Sequence, residues 1–118
     1  MITQECIPAL NGAREMPGGN TMRLAHGSLL QQLYGRNEVI EEFWCNYSLN
    51  PHYCAALDDG RLRPVAFADN GAWRAVELSN HPFFPGTLFL PQRNSEPGRP
   101  HPVLTGLLAA ASQHFAEP

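Results

Sequence analysis

Eleven prolines and ten glycines are spread along 118 residues without forming a repeat. Each proline fixes its own φ and removes a main-chain donor, and glycine collects where a turn needs unusual dihedrals. Short strands separated by ordered turns are the outcome such spacing favours, so the body is expected to be turn-rich and mostly β. The length suffices for one core and not for two, and residues 1–118 are read as one domain or a piece of one. Hydrophobic residues at 43% and charged residues at 16% describe a globular chain and argue against disorder.

The net charge of −3, with eight basic side chains, offers no basic face on which a phosphate backbone could be neutralised, so nucleic acid is not an expected partner. The longest apolar stretches, around residues 83–90 and 103–111, fall far short of the ~20 residues that cross a bilayer. No basic patch followed by an apolar run opens the chain, and a cytoplasmic location with no membrane contact is the expectation. Cys6, Cys45 and Cys54 are odd in number and lack C-x-x-C spacing, which points to reduced thiols. His26, His52, His81, His101 and His114 are never at i, i+4, so no metal and no cofactor are expected.

Along the chain, residues 2–7 suit a short strand and residues 11–20, with Gly12, Pro17, Gly18 and Gly19, a loop. Ordered structure resumes at residues 21–25. Residues 28–34 predict a short helix, with Ser28 as N-cap and Gly35 as its stop. Residues 39–49, β-branched and aromatic, predict one strand closed by Asn50-Pro51, and Pro51 suits the start of a helix through residues 52–57. Residues 64–68 and 72–78 predict a hairpin around Asp69-Asn70-Gly71. Residues 84–91 read as another strand and residues 93–101 as a polar loop. Residues 103–115 predict the longest helix, with Val103, Leu104, Leu107, Leu108, Ala111 and Phe115 as a stripe that packs on a sheet.

Four strings fall in an order that resembles the closing part of the glutaminase domain of CTP synthase, a class I glutamine amidotransferase. Gly18-Gly19-Asn20-Thr21-Met22-Arg23-Leu24 is similar to G-G-T-M-R-L with one insertion. Val39-Ile40-Glu41 and Tyr47-Ser48-Leu49-Asn50 are similar to the ends of I-x-E-R-H-R-H-R-Y-E-V-N. Asn80-His81-Pro82-Phe83-Phe84 matches N-H-P-[WF]-F, and His101-Pro102-Val103-Leu104-x-Gly106 with Ala109-Ala110-Ala111 matches the terminal helix. The resemblance covers nearly the whole chain.

It implies an α/β, flavodoxin-like domain with a central parallel sheet, of which this chain holds the later, more antiparallel portion and the last helix. A domain of this class needs earlier strands that carry the nucleophile, so a partial domain is expected and Met1 reads as an internal start. The resemblance also implies where the family's catalytic groups belong. Its Q-F-H-P-E supplies the His and Glu that activate and orient a nucleophilic Cys, and here that segment reads Leu88-Phe89-Leu90-Pro91-Gln92. Leucine cannot accept a proton, and the amide of Gln92 cannot stabilise an imidazolium as a carboxylate does. Asn46 stands at the position of an arginine near the bound glutamine and lacks the charge to meet an α-carboxylate. The basic run R-H-R-H-R is replaced by Glu42-Phe43-Trp44-Cys45-Asn46, so glutamine binding and docking on a synthase are both in doubt. Small proteins related to the CTP synthase C-terminal region, standing apart from any synthase domain, are the nearest match.

Simpler roles compete with each tempting residue. Cys45 lacks a G-x-C-x-G turn and reads as a small hydrophobe. His81 belongs to a turn, Asp58-Asp59 before Gly60 to a solvated turn, and Gly18-Gly19 to a loop and not a phosphate cradle. Trp44 and Trp73 read as packing, although an exposed Phe43-Trp44 pair would mark a partner surface. Three functional expectations result: a CTP-synthase-like domain without its own Cys-His-Glu; the C-terminal part of a longer amidotransferase or CTP synthase-related enzyme of pyrimidine nucleotide biosynthesis; and an interaction module. Missing early strands leave a sheet edge unpaired, so a homo-oligomer or a partner supplying those strands is expected.

Overall fold

The computed structural model describes residues 6–8, 20–42 and 47–116. Ten elements follow in chain order: β1 (Cys6–Pro8), β2 (Asn20–Leu24), α1 (Leu29–Tyr34), β3 (Glu38–Glu41), β4 (Tyr47–Leu49), α2 (Cys54–Leu57), β5 (Leu62–Phe67), β6 (Trp73–Leu78), β7 (Pro85–Thr87) and α3 (Pro102–Ala116). Single 3₁₀ turns, Pro51–Tyr53 and Pro91–Asn94, precede α2 and follow β7. β1 and β4 pair as a small antiparallel ribbon, and the main sheet runs β3-β2-β5-β6-β7. Every pairing in both sheets is antiparallel.

Period-two patterning sets the faces of β2 and β3 in the main sheet. Met22 and Leu24 of β2 and Val39 of β3 point inward, joined by Val65, Ala66, Ala75, Leu30, Phe89 and Val103 in one core. Val65 and Ala66 are adjacent yet both buried. A register shift between Pro64 and Ala66 accounts for this, because a bulge locally breaks the alternation of faces. The hairpin β5–β6 turns through Ala68–Gly71, where Gly71 takes φ 86° and the Asn70 side chain accepts from the Ala72 N–H. Gly71 is one of five described glycines with φ in that region, and Asn80 is the one described non-glycine residue there.

Helix α1 starts and stops as its sequence dictates. Ser28 Oγ accepts from Gln31 N at 3.0 Å, and Gly35, at φ 72°, returns its N–H to Gln31 O. A carboxylate from the sheet adds to this cap. Glu77 of β6 accepts from Leu29 N at 3.0 Å and Leu30 N at 2.8 Å, fastening the helix start to the sheet.

Three predicted elements differ. The strand over residues 39–49 is two strands in two sheets, β3 and β4, and residues 43–46 lie outside the described residues. The strand over residues 84–91 is cut to Pro85–Thr87, because the chain leaves β6 after Leu88, the Leu90 N–H turns to Glu42 O instead, and Pro91 then opens a 3₁₀ turn. The stripe of α3 is not buried: Val103 is, but Leu108 is 67% exposed and Phe115 89% exposed. α3 packs on α1 through the other side of Gly106, where an added Cβ would lie 2.8 Å from Leu33 Cδ2 and 3.1 Å from Phe83 Cε2. Among the described residues no helix is long and apolar enough to cross a membrane.

Candidate functional site

The segment after β7 is held against β3 by three links. The Leu90 N–H donates to Glu42 O at 3.0 Å, Arg93 Nε donates to Glu42 Oε2 at 2.6 Å, and Asn94 Nδ2 donates to Glu41 Oε1 at 2.6 Å. Leu90, half-buried, precedes the 3₁₀ turn Pro91–Asn94, on which Gln92 is exposed. Leu90 and Gln92 therefore share one short, clamped stretch of backbone. Asn46 and Cys45 lie outside the described residues, as does the Phe43-Trp44 pair.

Below this stretch is a buried polar cluster that sequence reasoning missed. Glu41 and His101 are each 2% exposed. The Val103 N–H donates to His101 Nδ1 at 3.0 Å, so the proton of the neutral ring sits on Nε2 and is donated to Glu41 Oε2. The Tyr34 hydroxyl donates to the same oxygen. With Asn94 on Oε1, Glu41 has three donors, which is how a buried carboxylate is accommodated. Burial, then the hydrogen bond to Glu41, then the charge of Glu41 push the Tyr34 phenol far above its ordinary pKa. Both nitrogens of His101 are occupied, one by the first turn of α3 and one by Glu41, so the ring is a structural pin and not a free base. The signal was present in sequence: Glu41 is a charge at the inward parity of an apolar strand, and His101 immediately precedes a proline that starts a helix.

A cavity of about 700 Å³ opens beside this cluster. Residues 38–41 of β3 form one wall and Asn94, Glu96, Arg99, Pro100 and His101 the other, with Tyr34 and Arg36 between. Among the described residues no group of three His, Cys, Asp or Glu could hold a metal ion. His81 lies in the turn after β6 with Nδ1 accepting from Phe83 N. Asp59 accepts from Arg61 N and Leu62 N, and those N–H groups, Leu62 first, hold its carboxyl below the usual range. Cys54 is half-buried at the start of α2, and burial pushes its thiol up.

No family model matches the chain. Individual proteins do. The CTP synthase of Methanopyrus kandleri is 37% identical over 116 residues, covering 92% of this chain and 21% of that protein. The CTP synthase of Treponema pallidum is 39% identical over 112 residues, covering 88% of this chain and 19% of that protein. Among solved structures, the glutaminase domain of Trypanosoma brucei CTPS with bound acivicin matches with a TM-score of 0.73 and 27% identity, over 80% of this chain and 39% of that one. The fold is thus that of the class I glutamine amidotransferases. Within that class, the chain is homologous to the C-terminal region of CTP synthases and is a CTP synthase-related amidotransferase domain. It spans about a fifth of the length of the relatives it matches.

Proposed function

We propose that this CTP synthase-related domain does not hydrolyse glutamine by itself. The observation that carries the reading is Leu90 and Gln92 on one clamped stretch of backbone, in the segment that resembles Q-F-H-P-E. A leucine side chain has no lone pair with which to take a proton from a thiol, and a neutral amide at Gln92 gives an imidazolium no charge to lean on. Asn46, where the resemblance calls for arginine, offers an α-carboxylate hydrogen bonds without charge. Glutamine titrated into the protein is expected to give no saturable heat at millimolar concentration. Saturation there would contradict the loss of the substrate site.

A second reading is favoured by coverage: a chain matching about a fifth of its relatives suits the C-terminal part of a longer enzyme of CTP biosynthesis. The coding frame upstream of Met1 decides it. An encoded G-x-C-x-G turn would support the enzyme, and closely spaced stop codons would sink it. A third reading, as an interaction module in the cytoplasm, rests on the outer face of α3, where Leu107, Leu108 and Phe115 are exposed. A second copy or a partner protein is the cover that reading requires.

A further inference from the structure

α3 is 15 residues long and is held to the body on one side. Val103 is buried, and Gly106 lies against Leu33 of α1 and Phe83, so that side faces inward. Leu104, Leu108, Ala111 and Phe115 fall on the other side, Leu104 half-buried and the rest exposed. They stand four, three and four residues apart, the spacing of a seam that packs against another helix.

Charge decides which helix fits. Residues 100–116 contain no Asp, Glu, Lys or Arg. Thr105 and Ser112 flank the seam on one side and Leu107 and His114 on the other, so it lacks the flanking charges by which a helix selects an unlike partner. A second copy brings the same uncharged flanks and meets no like-charge repulsion. Size then decides direction. A parallel pair sets Ala111 against Ala111 and leaves a gap between layers of large side chains. An antiparallel pair, with its two-fold axis midway between positions 108 and 111, lays Leu108 over Ala111 of the second copy and Leu104 over its Phe115. Large then meets small at the centre, and the two helix dipoles oppose each other.

We infer that the outer face of α3 pairs with α3 of a second copy of this chain, antiparallel and about a two-fold axis. The inference rests on the reading of the chain as an interaction module and names its partner. Phe115 is 89% exposed and Leu108 67% exposed, so the seam has surface to bury. Two such helices bury on the order of 1,000 Å² in total, where reversible complexes lie, and the dimer is expected to half-form at about 10–100 μM.

Sedimentation of the unaltered chain from about 5 μM to about 1 mM should show a monomer–dimer equilibrium. Leu108→Glu brings two carboxylates together across the axis and should weaken it about tenfold or more. Geometry is read by oxidising cysteine variants on a chain whose Cys6, Cys45 and Cys54 are replaced by serine. Leu104→Cys mixed with Phe115→Cys should link one variant to the other. Phe115→Cys alone should not link, because the antiparallel pair holds the two copies of that position about 16 Å apart. If the serine background does not fold, sedimentation of the unaltered chain and of Leu108→Glu still decides. A monomer at every concentration would overturn the pairing and leave the interaction-module reading to a different protein. Links within Phe115→Cys alone would overturn the antiparallel pair and leave that reading standing. A dimer indifferent to Leu108→Glu would overturn both, since the apolar face then stays bare in the assembled protein.

Discussion

Glu41 shows how much one inward-facing charge organises. It joins β3, α1, the start of α3 and the turn after β7 through Tyr34, His101 and Asn94, three side chains far apart in sequence. Removing it leaves a phenol, an imidazole and an amide without their acceptor, so Glu41→Ala should cost about 3 kcal/mol or more in denaturant unfolding. Tyr34 gives a pH signature. Its folded pKa is raised, so its contribution is complete below the unfolded value of about 10 and is lost as the pH climbs beyond it. Unfolding followed from neutral to strongly alkaline pH should show a decline that Tyr34→Phe makes shallower. The phenylalanine variant should also be about 1 to 2 kcal/mol less stable at neutral pH, since the bond to Glu41 is gone.

At the level of elements, α1 and the β5–β6 hairpin were legible because their ends are fixed by local chemistry. Ser28 and Gly35 bound the helix, and Gly71 takes the positive φ of the turn. What local chemistry could not reveal was direction. Residues 39–49 are continuous in composition, yet β3 and β4 belong to different sheets. On α3 the apolar stripe is the more conspicuous face, yet close approach to α1 requires the small face at Gly106. The candidate site divides in the same way: the proposal for Leu90 and Gln92 starts from a motif, whereas the Glu41–His101 pair exists only once the chain has folded. Gly106→Val tests the α1–α3 contact. It should push α3 off Leu33 and Phe83 and destabilise the protein by about 1 to 3 kcal/mol, measured by thermal or denaturant unfolding.

At the scale of the molecule, the proposal of an interaction module rests on apolar side chains exposed on α3. Leu107, Leu108 and Phe115 line the outer side of α3. Sedimentation over a range of concentrations should show self-association that Leu108→Glu abolishes without loss of helix content. A compact monomer at high concentration would instead show that this face needs no cover. The central proposal concerns chemistry: on a CTP synthase-related framework, Leu90 and Gln92 would withhold the base and the carboxylate. Glutamate released from glutamine by the purified chain measures this most directly, compared with a variant in which Cys45 and His81 are both replaced. The account predicts identical background rates for the two proteins. Release by the unaltered chain above that variant would contradict it.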